Sequence, residues 1–348
     1  MTETFDDRGH VVGFPGRRTN EKYTALEMFD ALASLPTLPL AAFPTPVEEM
    51  PRLRAALGGG PRLFIKRDDA IGFAFGGNKV RKMQLVAADA RGRGADTLIT
   101  SGGVQSNHAR VTAAAAARLG MRCVIVANGD APRNPTGNAL LDQLLGADVR
   151  YVATREERAP AVDAVAQELG RAGRTPYVIP IGASTPLGAA AYALAIRELA
   201  GQIDPPDAIV HATSSGGTQA GLTAGCAMAG IATRVIGISA DASAGDLSRE
   251  IAQIINGLSQ LAGESQLSGL RAMSIDVDDR FVGAGYGIPT DASRDAIDLV
   301  ARTEAIFLDP TYTAKAMAGL IARIRQGEFD SSSTILFWHT GGQVALFA

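Results

Sequence analysis

The sequence predicts an α/β protein built on parallel sheets, and two observations carry that prediction. From about residue 62 onward, short β-branched apolar runs alternate with Ala/Leu-rich helical runs, the order expected of strand–helix units that lay helices over a parallel sheet. Most of the strand-length runs are continuously apolar, as strands covered on both faces are. In chain order, a strand over 62–66 leads through a loop into a helix over 79–93. Strands over 97–100, 122–127, 149–153 and 177–181 follow, separated by helices over 107–119, 137–146 and 156–173. A helix over 187–200 precedes strands over 208–212 and 235–239, which bracket a helix over 218–229. Helices over 290–303 and 312–326 lead to the last strand, 335–339. The Pro-rich stretch 35–46 reads as irregular, and 244–280 is patterned too weakly to assign.

Composition narrows the class of function. A chain of 348 residues with 46% hydrophobic content suits two domains or one large composite domain, and folding buries about three quarters of its extended surface. Lys plus Arg number 33 against 36 Asp plus Glu, scattered along the chain, so no basic field for nucleic acid is expected. Cys123 and Cys226 give neither a disulfide framework nor zinc spacing, and His10, His108, His211 and His339 show no paired ligand spacing. No metal is expected. His211 and His339 each end an apolar strand and read as hydrogen-bonded structural residues, while Asp68-Asp69 reads as a solvated turn. The N-terminus lacks a signal-peptide layout, and no run reaches the roughly 18 apolar residues of a membrane span. The expectation is a soluble, cytoplasmic protein without a membrane partner.

Three strand-to-helix junctions are rich in Gly, Ser, Thr and Asn, and in an open parallel sheet such junctions at the strands' carboxyl ends are where ligands bind. The first holds Gly76-Gly-Asn-Lys-Val-Arg-Lys82. A lysine at a helix start faces partial positive charge. Lys79 is either a solvated surface residue or an amine of lowered pKa suited to forming a Schiff base. The second, residues 100–108, opens an Ala-rich helix with Ser106, Asn107 and His108. It is either a plain N-cap or an anion site built from free backbone N–H groups. The third places Ser214, Ser215, Gly216, Gly217 and Thr218 around a helix N-terminus, which suits a phosphate cradle or a glycine turn of packing origin. It is not a Walker loop, and the dinucleotide fingerprint is missing. Tyr286 lies in a glycine-rich loop that could bring its phenol to a ligand.

Taken together and in order, these motifs resemble fold-type II pyridoxal-phosphate enzymes, and more closely the D-cysteine desulfhydrase / 1-aminocyclopropane-1-carboxylate deaminase family. The carriers are the lysine turn, Gln105-Ser-Asn107, Gly217-Thr-Gln-Ala-Gly221, Gly285-Tyr-Gly-Ile-Pro289, Asp309-Pro-Thr-Tyr-Thr-Ala-Lys315 and His339-Thr-Gly-Gly342. The resemblance spans about residues 38–347. It implies a fold like that of the tryptophan synthase β subunit, with two parallel-sheet α/β domains and pyridoxal 5′-phosphate in the cleft between them. The larger domain would be 1–79 and 189–348, the smaller 80–188, and the assembly a homodimer. Lys79 would hold the cofactor as a Schiff base and shuttle the proton, with Lys82 near the phosphate. Asn107 would sit beside the ring hydroxyl. Ser215, Gly216, Gly217 and Thr218 would form the phosphate loop, and Ser106, Asn107 and His108 the substrate-carboxylate site. Tyr286 and Tyr312 match two active-site tyrosines.

Thr313 stands where the deaminases resemble one another in having a glutamate facing the pyridine nitrogen, and Thr340 likewise resembles the desulfhydrase side. A neutral hydroxyl there favours an unprotonated ring, adequate for removing an α-proton when the β-substituent leaves easily. The resemblance therefore implies a carbon–sulfur lyase acting on a small amino acid, D-cysteine going to pyruvate, sulfide and ammonia. L-cysteate sulfo-lyases are also similar, and a sulfonate would want an added cation, for which Arg110 or His108 is the candidate. Ring opening, a silent cofactor-binding protein and a nicotinamide oxidoreductase fit the motifs less well.

Overall fold

The structure, a computed structural model, describes residues 25–263 and 275–348. It contains two sheets. The chain begins with α1 (Ala25–Ala33), β1 (Val47–Glu49), α2 (Pro51–Ala56) and β2 (Arg62–Arg67). It then runs through α3 (Asn78–Gly92), β3 (Thr97–Gly103), α4 (Asn107–Leu119), β4 (Arg122–Asn128), α5 (Gly137–Leu144), β5 (Asp148–Val152), α6 (Arg158–Arg171) and β6 (Pro176–Val178). Next come α7 (Pro186–Ala200), β7 (Ala208–Thr213), α8 (Gly217–Met228), β8 (Arg234–Ser239) and α9 (Ala244–Leu261). The chain ends with β9 (Asp276–Asp278), α10 (Asp291–Glu304), α11 (Thr313–Arg325) and β10 (Thr334–His339).

The smaller sheet runs β5-β4-β3-β6 and is parallel throughout. The larger runs β1-β2-β10-β7-β8-β9. Only the short strand β1 is antiparallel to its neighbour, and the other pairings are parallel. The continuous apolar runs follow from this arrangement: β7 is buried at every position, and β4 at all but its ends. The fold class expected from the sequence is therefore the one observed.

Three regions depart from expectation. The strand expected over 177–181 ends at Val178, because Pro180 has no N–H to continue the ladder; Ile179 makes one more bond, its N–H to Ile99 O at 2.8 Å. Residues 181–183 form a tight turn in which Gly182 has φ +71°. Within the unassigned stretch 244–280, α9 buries Leu247, Ile251, Ile254, Ile255 and Leu258 along one face, a helical period that polar neighbours and Gly257 obscured. Residues 264–274 of that stretch lie outside the described residues, as do residues 1–24. Finally, Asp68 is not solvated. It is fully buried beneath β2, and its carboxylate accepts from Arg81 Nε (2.9 Å) and Nη2 (2.8 Å), Thr45 Oγ1 (3.0 Å), Tyr192 OH (2.6 Å) and Trp338 Nε1 (2.8 Å). Glu198 takes the other side of Arg81 at 2.7 Å.

The chain passes between the two sheets at three places: residues 68–79 ahead of α3, 179–185 ahead of α7, and 340–343 after β10. The third crossing carries the C-terminal turn Gln343–Phe347 onto α5, where a Cβ on Gly137 would lie 3.0 Å from Ala348 Cβ. The end of the chain thus packs beside the smaller sheet, although the sequence reading assigned all of 189–348 to the larger domain. Boundaries at 80 and 188 fall inside α3 and α7, which pack against each other.

The larger body depends on the close approach of α7 and α8. A Cβ on Gly221 would lie 2.2 Å from Ala189 O and 2.5 Å from Tyr192 Cβ, so α8 can come this near only through a bare backbone. Gly221→Ala is expected to cost about 1–3 kcal/mol by forcing the helices apart, read as a lower denaturant midpoint. An unchanged midpoint would mean that the contact relaxes freely.

Candidate active site

All three Gly/Ser/Asn junctions open into one cleft. Its walls come from both sheets and from all three chain crossings.

Lys79 is the second residue of α3 and lines the cleft. The turn before it needs glycine: Gly76 and Gly77 have φ of +69° and +99°, and a Cβ on Gly76 would sit 2.6 Å from Ile71 O. Lys79 makes no hydrogen bond or ion pair with any described residue, and burial alone lowers its pKa to about 8. Lys82, one turn on, is fully buried; its Nζ donates to Gly182 O (3.2 Å) and Ser184 Oγ (3.3 Å). Burial first, and then the charge of Lys79, hold the Lys82 ammonium well below its usual range.

One end of the cleft is the N-terminus of α8, where Ser214, Ser215, Gly216 and Thr218 line the wall. Gly216 caps the helix at φ +75°. Ser184 ties this end together, with its Oγ 2.7 Å from Ser215 Oγ and accepting from Gly217 N at 3.2 Å. A Cβ on Gly217 would fall 2.7 Å from Ser184 Oγ and 2.9 Å from Lys82 Nζ. Gly217 thus supplies backbone, not surface, to the cradle. Free N–H groups, hydroxyls and a lysine converge there, as an anion requires.

Ser106 is the N-cap of α4, with its Oγ accepting from Ala109 N at 3.2 Å. The N–H groups of Asn107 and His108 belong to the first helical turn and have no intrahelical acceptor. Asn107 is held from behind, where its Oδ1 accepts from Arg110 Nη1 and Asn138 Nδ2, both at 2.9 Å. Thr100 Oγ1 donates to Ile179 O, so the His108 Nε2 at 2.8 Å donates to Thr100. Burial, and then the charges of Lys79 and Lys82, keep that imidazole neutral.

Tyr286 and Tyr312 share a hydrogen bond between their hydroxyls, their rings edge-to-face with centroids 5.7 Å apart. The Tyr286 loop is pinned by the buried Lys315, whose Nζ donates to Val282 O (2.8 Å) and Gly285 O (2.9 Å).

The cleft thus gathers Lys79, Ser106, Asn107, His108, Ser215, Gly216, Thr218, Tyr286 and Tyr312, with Lys82 and Gly217 directly behind its wall. Thr313 is not among them. It is fully buried, and its Oγ1 donates to Asp309 Oδ1 (2.7 Å) while accepting from Asp309 N (2.8 Å), so both capacities of the hydroxyl are spent on the start of α11. Thr340 lines the cleft instead. Arg110 also points elsewhere: it is buried against Gly76 O (3.0 Å), Asn107 and Asn138 (2.7 Å). The expected cation is therefore neither Arg110 nor the neutral His108. Two other arginines, Arg155 and Arg158, line the cleft, together with Asp241. Their stretch, Thr154-Arg-Glu-Glu-Arg158, carries no motif that marks it as part of a site.

Among the described residues no helix is long and apolar enough to cross a membrane. A family model described as pyridoxal-phosphate dependent enzyme matches residues 38–341. Among solved structures, an ACC deaminase homologue is similar at 35% identity and a TM-score of 0.85, over 92% of this chain and 96% of that one. The processed form of threonine deaminase isoform 2 from Solanum lycopersicum is 19% identical with a TM-score of 0.66, over 91% and 84%. Serine racemase from Dictyostelium discoideum is 17% identical with a TM-score of 0.64, over 92% and 98%. The last two show likeness of fold.

Proposed function

Because the chain belongs to the pyridoxal-phosphate dependent enzyme family and takes pyridoxal 5′-phosphate as its cofactor, we propose that it catalyses β-elimination from a thiol-type amino acid, D-cysteine going to pyruvate, sulfide and ammonia. The residues present fit the cofactor. The α8 cradle, with Ser184 and Lys82 closing it, suits the phosphate, and Lys79, which has no partner among the described residues, suits the aldehyde. When bound, the cofactor supplies an electron sink for the pair left on the substrate's α-carbon.

The chain's own groups then divide the work. Ser106 Oγ and the N–H groups of Asn107 and His108 hold the substrate carboxylate at the start of α4. Lys79 Nζ takes the α-proton, for which its lowered pKa leaves a useful fraction of free base near neutral pH. The hydroxyls of Tyr286 and Tyr312 stay protonated, since burial raises both, and give a proton to the departing group.

One observation carries elimination over ring opening. Asp241 is the sole carboxylate among the described lining residues, and Arg155 holds it at 3.0 Å. The wall offers the hydroxyl of Thr340 and no free acid to protonate the pyridine nitrogen. A weaker electron sink suits a good leaving group such as a sulfur anion, and suits a carbon leaving group poorly.

Product analysis on D-cysteine, L-cysteine, L-cysteate and 1-aminocyclopropane-1-carboxylate tests this. Pyruvate with sulfide from D-cysteine, faster than from L-cysteine, is the expected result. Sulfite from L-cysteate would keep the reaction type and change the leaving group. 2-Oxobutanoate from the cyclopropane would overturn the argument from the acid-free wall.

A further inference from the structure

The cleft has a second positive pole that carboxylate and phosphate binding do not use. Arg155 and Arg158 reach it from the β5–α6 connection, on the smaller body. The Arg155 guanidinium lies over the Tyr286 ring, 4.8 Å from its centroid, and its Nη1 is 3.0 Å from an Asp241 oxygen. Ring and carboxylate together fix its plane. Arg158 Nε donates to Arg155 O at 3.1 Å, while its Nη1 and Nη2 make no hydrogen bond with any described residue, nor does any described carboxylate pair with it. Glu157, between them, is turned away: its carboxylate accepts from Ala153 N at 3.1 Å. Two guanidiniums thus stand beside the Tyr286–Tyr312 pair, with Asp241 the carboxylate that lines the cleft there and Glu156 acting on both from their own loop, and the planar two-pronged donor of Arg158 is still open.

We propose that Arg155 and Arg158 form a subsite for an oxyanion carried on the substrate's β-carbon, a sulfonate or a phosphate. A guanidinium fork matches two oxygens of such a group bidentately, which a thiol cannot exploit. The inference rests on the β-elimination reading and adds to its thiol substrate a second class, in which the leaving group itself carries the charge. For L-cysteate the balance needs only water. Lys79 takes the α-proton, the Cβ–S bond breaks with its electron pair leaving on sulfur, and hydrolysis of the resulting enamine gives pyruvate, ammonium and hydrogen sulfite.

The test compares three substrates in the holoenzyme: L-cysteate, O-phosphoserine and β-chloroalanine, whose substituent is uncharged. In Arg158→Gln, kcat/KM for the oxyanion substrates relative to β-chloroalanine is expected to fall about tenfold or more, the loss typical of a charge-assisted hydrogen bond. Arg158→Lys should recover part of it. Whichever of L-cysteate and O-phosphoserine shows the larger fall identifies the oxyanion. A readout without turnover uses 3-sulfopropanoate and propanoate as dead-end ligands: the preference for 3-sulfopropanoate should drop by a similar factor in Arg158→Gln. Ratios within twofold of the unaltered enzyme in both assays would overturn the subsite and leave the arginines a solvated rim. Failure of the unaltered enzyme to make pyruvate from β-chloroalanine would instead sink the elimination reading, and 3-sulfopropanoate binding would still decide the subsite.

Discussion

Lys79→Ala is expected to form pyruvate at least about 10³-fold more slowly than the unaltered enzyme, because one side chain serves as both anchor and base. The two roles separate experimentally. Borohydride reduction should fix the cofactor to the unaltered protein and leave Lys79→Ala without covalent label; label retained in the variant would move the anchor to another lysine. An amine attacks and accepts protons only as the free base. With a pKa near 8, about a quarter of Lys79 is free at pH 7.5, against about 0.1% for an ordinary lysine. The rate at which the cofactor-free protein takes up pyridoxal phosphate should therefore climb with pH up to about 8 and level off above it. A rise continuing to pH 10 would show that burial does not depress this amine.

Asp68→Asn is expected to cost about 3–5 kcal/mol, as breaking a buried ion pair from one side does. The substitution strands the Arg81 guanidinium, buried between β2 and α7, with Glu198 as its remaining carboxylate. Burial alone would raise the Asp68 carboxyl, but the Arg81 charge and the hydrogen bonds from Arg81, Tyr192 and Trp338 outweigh it and leave the pKa below its usual value. A depressed carboxylate contributes stability that is present above the unfolded pKa of about 4 and is lost as pH falls toward the folded one. The difference between the unaltered protein and Asp68→Asn should accordingly be full at pH 7 and shrink below about pH 4. A denaturant midpoint unchanged at pH 7 would refute the clamp.

What the sequence made legible is what depends on local backbone chemistry. Gly76-Gly77 before Lys79, Ser106 at a helix start and Gly216-Gly217 after an apolar strand announce themselves because tight turns and free N–H groups demand those residue types. What it hid depends on which way a side chain faces after folding. Asp68 and Asp69 are neighbours of the same type, yet the first is fully buried against Arg81 while the second pairs with the partly exposed Arg67; no local pattern distinguishes them. Thr313 follows Tyr312, but consecutive residues at a helix start point in different directions, so the tyrosine meets the cleft and the threonine meets Asp309. Arg155 and Arg158 become cleft residues only because Asp241, distant in sequence, lies opposite. The helix α9 repeats its apolar residues at a helical period, but the polar residues between them and Gly257 mask it in the sequence.

The three crossings between the sheets have a mechanical consequence. Each runs through the cleft wall, as Lys79, Gly182 and Gly341 all do. The first and third lie backbone to backbone, so close that a Cβ on Gly341 would fall 2.5 Å from Gly77 Cα. The pivot about which the smaller body could swing is thus made of the same residues that would grip cofactor and substrate. Posture and grip form a single coordinate: the bodies cannot part without pulling Lys79, Gly182 and Thr340 out of alignment, and a ligand touching all three acts as a splint across the joint.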